Sequence, residues 1–188
     1  MEDRRRVARC GGTDVFVWQG DITAAGTEAV VNAANNQGWL GSGVAGAIRR
    51  AAGDQVEDEA VAQAPWPVGD AVRTGPGRLG DRGVKAILHA AAMAPGRPAS
   101  AAAVGSATAA ALRLAAAEGL ASVALPALGT GVGGVALEDA AAAMGGAVRR
   151  HAEGPTPVTT VVFALYDQEA VERFGGALER ELGRDHAP

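Results

Sequence analysis

Cysteine, aromatic residues and long apolar runs are all scarce in this sequence. Cys10 is the only cysteine, which excludes an internal disulfide and a cysteine-based zinc site. The three histidines, at positions 89, 151 and 186, lack the spacing of metal ligands, so we expect no metal and no cofactor. There is no run of about 20 apolar residues, and the opening MEDRRRVARCGG lacks the apolar segment of a secretory signal. We therefore expect a cytoplasmic protein without a membrane partner.

An excess of positive charge is also missing. The formal net charge is −4 and the isoelectric point is near 5.4, whereas a protein that binds nucleic acid in bulk carries a basic stripe or domain. The one basic run, Arg4 to Arg6, lies within residues 1–13, which we predict to be a polar, solvated N-terminal tail. We expect no bulk nucleic-acid binding.

Alanine and glycine are abundant instead. With 188 residues, 48% hydrophobic and 20% charged, the chain fits one globular domain with a full core. Small side chains favour close contacts between helices and a sheet. No linker or internal repeat divides the chain, so we predict one domain over residues 14–182 and a C-terminal tail over 183–188.

Strand and helix patterns alternate along the sequence. The predicted strands cover residues 14–19, 29–34, 71–74, 84–90, 122–127 and 158–166. The predicted helices cover 43–52, about 54 to 64, 100–118, 137–151 and 168–182. Ser42 can cap the first of these helices and Gly53 lies at its end. The order indicates an α/β fold with a central, mixed but largely parallel sheet flanked by helices.

Two glycine-rich loops follow strands of this predicted sheet, GSGVAG at 41–46 and GTGVGG at 129–134. The first matches G-x-G-x-x-G, but the stretch ANNQGWL separates it from its strand, so the turn is too long for a dinucleotide fingerprint. The second lacks the lysine and Ser/Thr of a phosphate-binding P-loop. Because ligands bind at the carboxyl ends of such strands, the two loops together predict a clasp of backbone amides around a diphosphate, without a metal.

Other polar residues lie at the same predicted edge of the sheet. Asp21 follows the first strand, where its carboxylate either accepts from an adenine amino group or forms an Asx turn. Asn35 offers a donor and an acceptor to a sugar hydroxyl, and Tyr166 offers a ring to stack on a base. These three groups and a diphosphate clasp describe a nucleotide sugar. For His89, in the run VKAILHAAAM, we favour a buried, hydrogen-bonded side chain over a ligand contact.

These motifs, taken in this order, resemble the macrodomain family. The resemblance covers residues 14–182, and the stretches that carry it are GDIT (20–23), AVVNAANN (29–36), GSGVAGAIRRAAG (41–53), the strand ending at His89, and ALPALGTGVGGVALEDAA (124–141). It implies a three-layer α/β/α fold and a cleft for ADP-ribose, free or attached to protein. Members of the family include ADP-ribose readers, enzymes that remove mono-ADP-ribose from acidic side chains, and O-acetyl-ADP-ribose deacetylases.

The resemblance also implies roles for individual residues. Asp21 and the backbone of Ile22 would hold the adenine, with Tyr166 beside it, and Asn35 would hold the distal ribose and take part in catalysis. Two loops would wrap the diphosphate from opposite sides. The first loop comprises Gly41, Ser42, Gly43, Val44 and Ala45, and the second comprises Gly129, Thr130, Gly131, Val132 and Gly133.

The sequence departs from the family pattern at two positions. One hydrolase branch carries an aspartate, implicated in activating water, where this chain has Ala45. The second loop of the family often carries an aromatic residue that shields the distal ribose, where this chain has Gly133. Trp39 either compensates for that missing ring or has an ordinary packing role, which we favour.

We predict a single macrodomain that binds ADP-ribose, is monomeric, and acts on mono-ADP-ribosylated proteins. We favour an enzyme over a reader that binds ADP-ribose without cleaving it. The enzyme would hydrolyse the ester that joins ADP-ribose to glutamate or aspartate, or deacetylate O-acetyl-ADP-ribose. A domain with no partner module to recruit has little use as a reader, whereas Ala45 argues against catalysis. A nicotinamide-dependent oxidoreductase is the distant third alternative, because the glycines of the first loop are misplaced for it.

Overall fold

The computed structural model of the protein describes residues 3–183, which form seven strands and five helices. The strands are β1 (Arg5–Cys10), β2 (Thr13–Gln19), β3 (Ala29–Asn35), β4 (Ala71–Thr74), β5 (Ala86–Met93), β6 (Ser122–Leu125) and β7 (Thr160–Leu165). The helices are α1 (Gly43–Ala52), α2 (Gln55–Val61), α3 (Ala101–Ala117), α4 (Leu137–Ala152) and α5 (Gln168–Leu182). Among these residues, no helix is long and apolar enough to cross a membrane.

All seven strands form one sheet in the order β1-β2-β7-β6-β3-β5-β4. The five central strands are parallel, while β1 and β4 pair antiparallel with their neighbours at the two edges. This is the predicted mixed, largely parallel sheet. The carboxyl ends of β2, β7, β6 and β3 therefore lie side by side along one edge of the sheet.

Helices cover both faces of the sheet, which gives the predicted three layers. Successive residues of a strand point to opposite faces, so Val31 packs with α3, α4 and α5, whereas Val30 packs with α1 and α2. The first face contains an aromatic contact between Phe163 and Phe174, whose ring centroids are 5.1 Å apart. Burial on both faces explains why β3 reads as a nearly continuous apolar run.

The polar tail predicted for residues 1–13 is wrong for residues 5–10, which form the edge strand β1. Val7 and Ala8 are buried against the α4 and α5 side of the sheet. The arginines of this segment are not free in solvent: Arg5 pairs with Glu179, Arg6 pairs with Asp14, and the guanidinium of Arg4 lies 5.9 Å from the ring centroid of Trp18. The C-terminal tail predicted for 183–188 lies, beyond Gly183, outside the described residues.

His89 is fully buried in β5 and hydrogen-bonded on both ring nitrogens, as we favoured from the sequence. The amide nitrogen of Asn32 lies 3.1 Å from Nδ1, and the hydroxyl of Thr74 lies 2.9 Å from Nε2. An amide nitrogen donates, so Nδ1 accepts and Nε2 carries the proton of a neutral ring. Burial lowers the pKa of His89 from its ordinary value of 6.5 to about 4.

This pKa predicts that the protein loses stability as the pH falls from about 6.5 towards 4. In that window the unfolded chain binds a proton at His89 and the folded chain does not, so acid favours unfolding. At about 1.4 kcal/mol for each pKa unit, the loss is on the order of 3 kcal/mol. Urea unfolding of wild type and His89→Gln at pH 7 and pH 4 measures it. We expect a smaller loss in the variant, and equal losses in both proteins would contradict the assignment.

Candidate functional site

The loops that follow β3 and β6 face each other across one cleft of about 510 Å³. The two strands are neighbours and parallel, so both loops leave the sheet at the same edge, where ligands of such sheets bind. Residues predicted for the two loops line the cleft from both sides, together with Asn35 at the end of β3. They are Gly41, Ser42, Gly43, Val44 and Ala45 in the first loop and Gly129, Thr130, Gly131, Val132 and Gly133 in the second.

The first loop presents the amino end of α1 to the cleft. Ser42 occupies the capping position, but its side chain makes no capping hydrogen bond, unlike the cap expected from the sequence. The amides of Gly43, Val44 and Ala45 have no acceptor within the helix, because the first turn of any helix lacks one. Free amides and the positive end of the helix dipole together favour an anion at this point.

The second loop is shaped by two glycines at which a side chain would be strained or crowded in this backbone. Gly129 has φ of +78°, and a Cβ added to it would lie 2.6 Å from Cγ2 of Val104. A Cβ on Gly133 would lie 2.6 Å from the carbonyl oxygen of Gly129. That carbonyl accepts from the amide of Val135 at 3.0 Å. Within the described part of the chain, the amides of residues 130–133 have no hydrogen-bond partner.

Asn35 is half-buried where β3 ends, and its side chain shapes the first loop. Oδ1 accepts from the amide of Gln37 at 2.9 Å, and Nδ2 donates to the carbonyl of Trp39 at 3.4 Å. The first bond is an Asx turn, which fixes the orientation of the amide group. Asn35 therefore has a structural role beside any contact that it makes with a ligand.

Asp21, Ile22 and Tyr166 lie further along the same edge and do not line the cleft. Asp21 follows β2 and Tyr166 follows β7, and these strands are adjacent. The carboxylate of Asp21 accepts from the amide of Thr23 at 2.9 Å and from its hydroxyl at 2.8 Å, so the Asx turn considered from the sequence is present. Ile22 is buried, whereas the side chain of Tyr166 is 93% exposed and free to meet a ligand.

Among residues 3–183, none of those that line the cleft has an ionisable side chain. Ala45, where a carboxylate occurs in one hydrolase branch, is a buried residue on the first turn of α1. The cleft therefore offers an anion only backbone amides, a helix dipole and neutral side chains.

A third wall of the cleft comes from residues that the sequence reasoning missed. Met93 ends β5, and Pro95 and Gly96 belong to the loop that precedes α3. The sequence analysis assigns no role to this stretch between the strand predicted at 84–90 and the helix predicted at 100–118. Because β5 pairs in parallel with β3, the loop after β5 leaves the sheet at the same edge as the loop after β3. The packing role that we favoured for Trp39 is wrong, because the residue is 53% exposed and lines the cleft.

A larger groove of about 740 Å³ lies on the outer surface of α3 and α4. It is open to solvent, and its lining includes small residues such as Gly105 and Gly146 and the charged residues Arg113 and Glu181. Neither glycine loop contributes a residue to its lining. The smaller cleft is therefore the candidate site.

Comparison with known proteins agrees with this geometry. The family model described as Macro domain matches residues 31–144. An uncharacterised protein of Mycobacterium tuberculosis strain H37Rv is 43% identical over 97% of this chain and 50% of its own length. An uncharacterised protein of Aquifex aeolicus is 43% identical over 90% of this chain and 98% of its own. The O-acetyl-ADP-ribose deacetylase of Citrobacter rodentium is 32% identical over 89% of this chain and 96% of its own. The chain spans about half the length of the mycobacterial relatives that it matches.

Solved structures show the same fold. The Oceanobacillus iheyensis macrodomain with ADP superposes with a TM-score of 0.78 at 23% identity, covering 94% of each chain. The Trypanosoma brucei macrodomain in complex with ADP-ribose superposes with a TM-score of 0.81 at 24% identity, covering 95% of this chain and 75% of that one. The family match, the relatives and the glycine-lined cleft lead to one conclusion: this chain belongs to the Macro domain family.

Proposed function

We propose that the cleft binds ADP-ribose, with its diphosphate between the two glycine loops. The observation that carries the proposal is the lining of the cleft, where residues with unpaired backbone amides lie on both sides and no described residue is ionisable. Such a surface suits a diphosphate held by amides and a helix dipole. The structures of related fold that contain ADP or ADP-ribose support the same ligand.

The order of the strands gives the ligand a direction. Asp21 and Tyr166, beyond β2 and β7, would hold the adenine, and the loops beyond β6 and β3 would hold the diphosphate. The distal ribose would then reach Asn35 and the wall formed after β5. In this arrangement the adenine, the diphosphate and the distal ribose would each meet residues that the sequence predicts for them.

We propose further that the protein removes mono-ADP-ribose from glutamate and aspartate side chains, or deacetylates O-acetyl-ADP-ribose. Both reactions split an ester on the distal ribose by adding water. Because the cleft supplies no ionisable side chain, a phosphate oxygen of the bound ligand would orient the water, and the loops would bend the diphosphate to bring it there. The relative named O-acetyl-ADP-ribose deacetylase supports an ester substrate. Ala45 favours the alternative, a reader that binds ADP-ribose without cleaving it.

A release assay distinguishes the enzyme from the reader. Wild-type protein is incubated with an automodified, glutamate-linked mono-ADP-ribosylated protein, with and without chelator, and the released ADP-ribose is measured over hours. We expect slow release that chelator does not change and that serine-linked ADP-ribose, an acetal with a poorer leaving group, resists. Saturable binding without release at micromolar protein would leave a reader, and absence of ADP-ribose binding would contradict the whole proposal.

Replacing Asp21 by alanine is expected to weaken ADP-ribose binding about 10- to 150-fold. A hydrogen bond to a charged group contributes roughly 1.5–3 kcal/mol, and the carboxylate of Asp21 would accept from the adenine amino group. The same carboxylate accepts the two hydrogen bonds from Thr23 that form the turn. Calorimetry therefore has to separate the loss of the adenine contact from the loss of this turn. An ADP-ribose analogue with hypoxanthine in place of adenine lacks the amino group. Wild type should bind this analogue more weakly than ADP-ribose, whereas Asp21→Ala should not distinguish the two, and equal discrimination by both proteins would remove Asp21 from the site.

A further inference from the structure

Trp39 is an exposed aromatic residue whose backbone is fixed on both sides. The next residue, Leu40, is fully buried, and its amide donates to Oε1 of Glu57 at 2.8 Å. Glu57 is itself held by Arg49, with an ion-pair distance of 2.8 Å. The chain therefore cannot turn at this point to bury the indole without losing the Leu40 packing and its hydrogen bond.

The residue before Trp39 is equally constrained. Gly38 has φ of +78°, and a Cβ added to it would lie 2.9 Å from the carbonyl carbon of Ala60 in α2. The carbonyl of Trp39 accepts from Nδ2 of Asn35. The fold thus directs the large apolar side chain of Trp39 into the cleft beside Asn35, where 53% of it is exposed.

The opposite wall offers no ring to this part of the cleft. Gly133 has no side chain, and a Cβ added to it in this backbone would lie 2.6 Å from the oxygen of Gly129 and 2.8 Å from Cβ of Ala99. Among the described residues that line the cleft, Trp39 is the only aromatic one. The apolar lining near the end of β3 otherwise consists of aliphatic side chains, the short Ala33 and Ala34 and the longer Met93, which pairs with Asn35.

We infer that Trp39 packs its indole against the apolar face of the distal ribose and so positions that sugar for reaction. The inference rests on the proposed binding of ADP-ribose, and it adds a residue that selects for the part of the ligand beyond the diphosphate. Rings stack on flat or apolar faces of ligands with little loss of entropy, because an indole has only two side-chain torsions. Trp39 is a positioning residue, since it supplies no proton and no charge.

Calorimetry with two ligands tests this role. ADP has the adenine and the diphosphate but lacks the distal ribose, so Trp39→Ala should bind ADP as wild type does and ADP-ribose about tenfold more weakly. Trp39→Phe keeps a ring and should recover most of the affinity for ADP-ribose. Val68→Ala is the matched control, because it also removes an exposed apolar side chain and lies outside the cleft.

Tryptophan fluorescence of the wild-type protein tests the contact without a substitution that could disturb the fold. ADP-ribose should change the emission more than ADP does, and the additional change should disappear in Trp39→Phe. Equal loss of affinity for ADP and ADP-ribose in Trp39→Ala, or no loss for either, would overturn the inference. A variant that binds free ADP-ribose normally but fails on modified protein would also overturn it, because Trp39 would then contact the acceptor. Failure of wild type to bind ADP-ribose at all would instead contradict the proposed function.

Discussion

Gly131→Glu is expected to fold as wild type does and to lose all measurable binding of ADP-ribose. Gly131 is exposed at the tip of the second loop, and a Cβ added to it would meet nothing within 4 Å. The new carboxylate would lie among the amides proposed to hold the diphosphate. Two unit charges about 4 Å apart repel by about 4 kcal/mol near a protein surface, which corresponds to a loss of roughly a thousandfold in affinity for each phosphate charge approached.

The matched control for this substitution is Gly154→Glu. Gly154 is also exposed and also has free space around its Cβ position, but it lies in the loop between α4 and β7, away from the cleft. Circular dichroism and thermal melting should place both variants near wild type. Normal ADP-ribose affinity in a folded Gly131→Glu protein would mean that the diphosphate does not lie between the two loops.

The elements that position the cleft could be predicted from the sequence because local signals and tertiary packing agree there. The helix predicted for residues 43–52 is α1 as the structure has it, since Ser42 and Gly53 mark its ends and an apolar face runs between them. The strand predicted at 29–34 extends by one residue, to Asn35. Two strands with buried faces, each followed by glycines, are enough to bring two loops to one edge of a parallel sheet.

The remaining features depend on partners that are distant in the sequence. β1 carries charged residues at half of its positions. It forms a strand because it pairs with β2, which buries Val7 and Ala8, and no local sequence pattern indicates this pairing. The wall formed by Met93 and Pro95 follows from the pairing of β5 with β3. The exposure of Trp39 follows from the fixed positions of its two neighbours, because a tryptophan read by itself predicts burial.

The neutral lining of the cleft determines what the proposed catalysis can depend on. With no carboxylate at Ala45 and no ionisable side chain elsewhere on the lining, the rate would come from orientation of the ribose, the phosphate and one water rather than from a side chain of shifted pKa. Orientation is sensitive to small displacements, so residues that hold the distal ribose should affect turnover more than affinity. Asn35 is the polar side chain best placed for this, since the Asx turn to Gln37 fixes its amide.

Asn35→Ala is therefore expected to reduce turnover about 100-fold while weakening ADP-ribose binding far less, because a displacement of about 1 Å can cost that much in rate. Single-turnover release from glutamate-linked ADP-ribose, measured beside calorimetry with free ADP-ribose, separates the two effects. Asn36→Ala is the matched control: it removes the same side chain one residue later, from a position that does not line the cleft, and should release ADP-ribose at nearly the wild-type rate. The Asn35 side chain also holds a turn, so the melting temperature of each variant has to be compared with wild type. If turnover and affinity fell by the same factor in Asn35→Ala, Asn35 would contribute binding that is equal in the ground state and the transition state, and the orientation mechanism would lose its main residue.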